Sequence, residues 1–161
     1  MKISLETTLA CSFHDAAEAL RRPALFLHIA APLVSFRPTR GTSVPEFWVE
    51  GTYWFAMRAF GLLPIGEQAI VIEIPASDDP EVLRLRDRGH SRMLPVWDHR
   101  ITLRRRDGEL RYRDDIELDA GWLTPLVGLS VRIFFQHRQR RWRRLAASGF
   151  EALASSQRAD D

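Results

Sequence analysis

Ile3, Leu5, Thr7, Leu9 and Cys11 alternate with Ser4, Glu6, Thr8 and Ala10, the period of a strand with one buried face. Ser12 and Asp15 then read as a helix N-cap with an acid in the first turn. A short helix from Phe13 ends near Arg22, because Pro23 cannot continue its hydrogen bonds. Pro23 suits the first turn of a second short helix, 24–31, which Pro32 closes.

From Leu33 to Asp119 the pattern is that of strands. Leu33 to Arg40 carries Pro38, which places it at an edge or an end. Glu46 to Met57 is aromatic and β-branched, and Glu67 to Ile74 alternates, with Gly61 to Gly66 read as the turn between them. Val82 to Arg88 is shorter and runs into a turn at Gly89. Met93 to Arg106 and Glu109 to Asp119 flank Asp107–Gly108, the strongest short hairpin signal in the chain.

After Gly121 the period becomes helical. Val127, Ser130, Val131, Phe134, Arg138, Trp142 and Leu145 share a stripe, and Thr124–Pro125 opens a helix predicted to run past Ala147. The expected class is α+β: a curved antiparallel sheet of about six to seven strands around one long C-terminal helix, with two short helices after the first strand. Residues 1–154 form a single domain in this reading, and 155–161 are a polar, frayed tail.

Composition adds mostly exclusions. The chain has 161 residues, 45% of them hydrophobic and 27% charged, which suits one globular domain and rules out disorder and fibrous architectures. The apolar stretch Leu25 to Val34 is broken by His28 and Pro32 and is too short to cross a bilayer, so no membrane insertion is expected. A single cysteine leaves no internal disulfide, and no signal-peptide pattern opens the chain, so the expected compartment is the cytoplasm. The five histidines are dispersed with no pair at metal-ligating helical spacing; neither a metal site nor a cofactor is expected. The run Arg138 to Arg144 invites a nucleic-acid reading, yet no aromatic-stacking series accompanies it. It reads as a solvated helix end paired with Glu117, Asp119 or Glu151, and His137 beside it as a surface residue.

A two-residue loop at Asp107–Gly108 sets the register of its hairpin. His99 then opposes Ile116, Ile101 opposes Asp114, Leu103 opposes Tyr112 and Trp97 opposes Leu118. The other face of the hairpin carries alternating charges and is solvated. The inner face is therefore Trp97, His99, Ile101, Leu103, Tyr112, Asp114, Ile116 and Leu118, apolar with two ionisable intruders. The same alternation turns Phe47, Val49, Tyr53, Phe55 and Met57 inward, and with them Ile70, Ile72 and Ile74.

The strand–helix–helix–meander–long-helix order resembles the helix-grip fold of the START, birch-pollen-allergen and polyketide-cyclase superfamily, often called SRPBCC. Trp97-Asp98-His99-Arg100-Ile101 and Tyr112-Arg113-Asp114-Asp115-Ile116-Glu117 are similar to its last two strands. Thr124-Pro125 and Phe134-Phe135-Gln136-His137-Arg138 are similar to its C-terminal helix. An aromatic inner face alone is ordinary core; the resemblance implies instead a cavity between sheet and helix, used across the superfamily for lipids, sterols, polyketides and aromatic compounds. The residues expected along it are Phe47, Val49, Tyr53, Phe55, Ile70, Ile72, Trp97, Ile101, Leu103, Tyr112, Ile116 and Phe134.

The function expected is binding of a small hydrophobic or aromatic ligand in that cavity. The alternative is a cyclase- or dehydratase-type enzyme using the same space. In it His99 and Asp114, diagonal neighbours in this register, form a catalytic dyad with Tyr112 as a further donor.

Overall fold

A computed structural model describes residues 1–151 and 153; the polar tail expected at 155–161 lies outside the described residues. The chain begins with strand β1 (Lys2–Leu9), helix α1 (Phe13–Leu20) and helix α2 (Pro23–Ala30). The Ser12 hydroxyl accepts the Asp15 amide at 3.0 Å and caps α1, and Pro23 occupies the first turn of α2, both as the local sequence requires. Strands β2 (Val34–Pro38), β3 (Gly51–Ala59), β4 (Leu63–Glu73), β5 (Val82–Asp87), β6 (His90–Ser91), β7 (Val96–Arg106) and β8 (Glu109–Asp119) follow. A 3-10 turn at Gly121–Leu123 leads into α3 (Thr124–Ala147).

The sheet is antiparallel and open, in the order β1-β8-β7-β5-β4-β3-β2, with the two-residue β6 beside β4. Helix α3 lies against β1 and β8 on one side and α2 on the other. Asp107 and Gly108 have φ of 54° and 79°, the left-handed pair that a two-residue hairpin of matching twist demands. Arg106 accordingly opposes Glu109, Ile101 opposes Asp114 and His99 opposes Ile116.

Three local expectations are corrected. Phe47 and Val49 are 39% and 60% exposed, whereas Trp48 is 6% exposed. Strand β3 begins only at Gly51, so its alternation does not extend upstream; the Trp48 amide instead donates to Arg21 O at 2.7 Å. The turn between β3 and β4 is confined to Phe60–Leu62, and Pro64 and Gly66 lie inside β4 at a bulge opposite Met57 and Arg58. A bulge absorbs a residue that cannot donate and one with positive φ. Cys11 lies beyond the end of β1, half-buried, and its thiol is pushed up to about 11 by burial and by the charge of Asp15.

The basic run on α3 is also less solvated than expected. His137 Nε2 lies 2.8 Å from Ala31 O, and Arg141 donates to His28 O at 3.1 Å. These bonds tie the helix to α2 and to the residue after it. Trp142 is fully buried.

Candidate functional site

Between α3 and the sheet lies a cavity of about 440 Å³. Its helical wall is Leu126, Val127, Ser130, Val131, Phe134, Phe135 and Arg138, successive positions of one α-helical stripe. Trp97, His99 and Ile101 of β7 face that stripe, flanked by Leu85 and Asp87 of β5 and by Gln68, Ile70 and Ile72 of β4. Leu25, Phe26 and Ile29 of α2, with Phe36 and Trp48, close the remaining side.

Of the residues expected along the cavity, Ile70, Ile72, Trp97, Ile101 and Phe134 line it. Tyr53, Phe55, Leu103 and Tyr112 are buried within the larger hydrophobic cluster, and Ile116 in a smaller one with Ile3, Leu118 and Phe135; none of these five borders the cavity. Phe47 and Val49 point to solvent. Alternation separates inside from outside but not wall from filled core. The wall residues absent from the sequence reading include Phe26, Gln68, Leu85, Asp87 and Arg138. For Arg138 the signal was present, since it falls on the apolar stripe of α3.

His99 and Asp114 come together. His99 Nε2 lies 2.8 Å from Asp114 Oδ1, and the pair is almost fully buried. Tyr112 donates to the same oxygen at 2.9 Å. Gln139 of α3 donates to Asp114 Oδ2 at 2.8 Å and to Leu5 O at 3.1 Å. Burial pushes the Asp114 carboxyl upward, but the hydrogen bond and charge of His99, the charge of Arg138 and the Gln139 bond outweigh it. The carboxyl is held below its ordinary range, as expected of an anion with several donors. Burial and the neighbouring Asp114 charge drive the Tyr112 hydroxyl well above its usual value, so it remains a donor. When His99 is neutral and donates its Nε2–H to an ionised Asp114, Nδ1 is its basic nitrogen.

Unlike Asp114, the Asp87 carboxyl belongs to a residue of the cavity wall. Asp87 Oδ1 accepts the Val71 amide and Oδ2 the Trp97 indole N–H, each at 2.9 Å. Burial dominates there, opposed by the charge of His99 and by these hydrogen bonds, and leaves the carboxyl raised to about 6.

The third charged group is Arg138, only 6% exposed. Its Cζ stands 4.7 Å from the Phe135 ring centroid and 5.7 Å from those of Phe26 and Phe134. Its buried Nε has no hydrogen-bond partner among the described residues. No group of three or more metal-ligating side chains occurs among the described residues, and no described helix is long and apolar enough to cross a membrane.

Solved structures share this architecture at low sequence identity. A START superfamily protein from Mycobacterium smegmatis superposes with a TM-score of 0.65 at 9% identity, over 91% of this chain and 97% of that one. A hypothetical protein from Helicobacter pylori gives 0.65 at 14% identity, over 91% and 88%. An AHSA1-like protein from Aeromonas hydrophila gives 0.58 at 17% identity, over 94% and 96%. These likenesses establish a START-like helix-grip fold. No curated protein matches the sequence. A family model does, across residues 37–146, a span that carries β3 to β8, most of α3 and the cavity wall apart from its side formed by α1, α2 and β2, and the chain belongs to that family, the domain of unknown function DUF8410.

Proposed function

We propose that the protein binds a small hydrophobic or aromatic molecule in the cavity between the sheet and α3. The observation that carries this reading is the cavity itself: about 440 Å³ walled mostly by Ile, Leu, Val, Phe and Trp side chains. That volume falls within the range typical of small-molecule sites, as does an apolar lining with a few polar groups. A stripe of aromatic residues that only filled a core would leave no such space.

The test is a titration of the purified protein with a neutral hydrophobic dye, beside a Val131→Trp variant in which the added indole occupies the cavity. Saturable binding by the parent and its loss in a variant that still unfolds cooperatively support the reading. No saturable binding by the parent, or undiminished binding by the variant, overturns it.

A second reading rests on the 2.8 Å contact between His99 and Asp114 at the cavity edge. Asp114 orients the imidazole, and the neutral form of His99 takes a proton at Nδ1 from a carbon acid or hydroxyl of a bound carbonyl compound. His99→Gln and Asp114→Asn distinguish this from a purely structural pair. Retained folding and dye binding with lost turnover of a carbonyl substrate favour catalysis; turnover that persists in both variants rejects it.

A further inference from the structure

Arg138 is a cation in the wrong place for a filled core. It sits on the cavity wall, 6% exposed, where an arginine is rarely found unless paired. Three phenyl rings surround the guanidinium. They can interact with its charge, but none supplies an in-plane acceptor for its N–H groups. Its Nε is buried and unpartnered among the described residues.

The nearest electrostatic partner is already engaged. Asp114 feels the charge of Arg138, yet its Oδ1 receives His99 and Tyr112 and its Oδ2 receives Gln139. The carboxyl on the cavity wall itself, Asp87, takes hydrogen bonds from Val71 and Trp97. The guanidinium therefore faces an apolar space with donors to spare.

We infer that the ligand is an amphiphile with a single carboxylate, whose oxygens are received by the Arg138 guanidinium while its apolar body lies along Val127, Val131 and Trp97. This inference rests on the cavity-binding reading and narrows it to a chemical class. A planar fork of N–H donors matches a carboxylate in a bidentate way. One guanidinium offers one such fork, enough for one carboxylate. A dianion would bring a second negative charge beside Asp87 on the cavity wall and Asp114 behind it, with no further cation among the lining residues to offset it.

Naphthalene-2-carboxylate and its neutral counterpart naphthalene-2-methanol, titrated calorimetrically into the full chain at pH 7.5, provide the test. The parent is expected to prefer the carboxylate by about tenfold or more, the scale of a charge-assisted hydrogen-bonded pair in a desolvated site. Arg138→Met is expected to erase that preference while keeping the affinity for the alcohol within about threefold, since the apolar wall remains. Arg138→Lys is expected to retain part of it, keeping the charge but not the fork. Equal binding of both probes by the parent overturns the carboxylate inference and leaves cavity binding standing. A preference that survives in Arg138→Met overturns the assignment to Arg138. Binding of neither probe overturns both readings. The parent comparison tests the carboxylate preference by itself, and where Arg138→Met fails to fold, Arg138→Lys tests the assignment: a preference undiminished in it overturns the role of the Arg138 fork.

Discussion

His99 and Asp114 sit on neighbouring strands, diagonal rather than opposite, and meet at 2.8 Å. The diagonal geometry leaves the imidazole on the cavity wall and the carboxylate one layer behind it. Asp114 thereby becomes the acceptor for three elements: His99 from β7, Tyr112 from β8 and Gln139 from α3. This carboxylate joins the helix to the sheet through hydrogen bonds rather than through packing.

Removing it strands three buried donors at once. Asp114→Ala is expected to cost about 3–5 kcal/mol in urea unfolding, the range for breaking a buried charged network from one side. Gln139→Ala removes one donor and leaves the His99 and Tyr112 bonds in place; it is expected to cost about 1–2 kcal/mol. Equal costs for the two would show that Asp114 is not the centre of the network.

Much of this arrangement is visible in the sequence because it depends on short-range rules. The Asp107–Gly108 turn sets one register, that register places His99 and Asp114 on one face, and alternation turns Trp97 and Ile101 inward. The stripe on α3 is equally local. What stays hidden depends on distant chain segments. Helix α2 is apolar on nearly every side, so its sequence does not show that Phe26 and Ile29 border the cavity. Trp48 and Phe47 exchange faces because β3 starts later than its composition indicates. Tyr112 and Ile101 have the same pattern and different fates, core and wall, because the division depends on where α3 crosses the sheet. Arg138 lies on the apolar stripe, but a charge run is usually solvated, and only the packing of Phe26, Phe134 and Phe135 around it shows otherwise.

The raised Asp87 carboxyl carries a pH signature. Its folded value is about 6, against about 3.9 for an unfolded aspartate. The folded state therefore binds more protons between these values, and stability falls as pH rises from about 4 through about 6. Asp87→Asn does not titrate at this position. The stability of that variant relative to the parent is expected to rise by up to about 3 kcal/mol between pH 4 and pH 7. Titrations of groups distant from Asp87 are common to both proteins and cancel in the difference. Urea unfolding at several pH values checks this; a difference that stays flat over the window would show that Asp87 ionises normally.

Trp142 offers the cleanest separation of packing from polar satisfaction. Its indole is fully buried on α3, edge-on to Tyr112 at 5.9 Å and to Phe150 at 5.7 Å. Its Nε1–H has no acceptor among the described residues. The ring therefore contributes through contact area alone, while its N–H is a buried donor left unmade. Trp142→Ala removes the contacts and opens a cavity, with an expected cost of about 3–5 kcal/mol. Trp142→Phe keeps most of an aromatic ring and deletes the orphaned donor, whose desolvation costs about 1–3 kcal/mol. The two effects of the phenylalanine oppose each other, and its net cost is expected to stay below about 1.5 kcal/mol. Thermal and urea unfolding of both variants measure the split. A cost below about 0.5 kcal/mol for Trp142→Ala, typical of surface positions, would place the indole outside the core. A Trp142→Phe cost equal to that of Trp142→Ala would overturn this split, since the retained ring would then recover none of the lost stability.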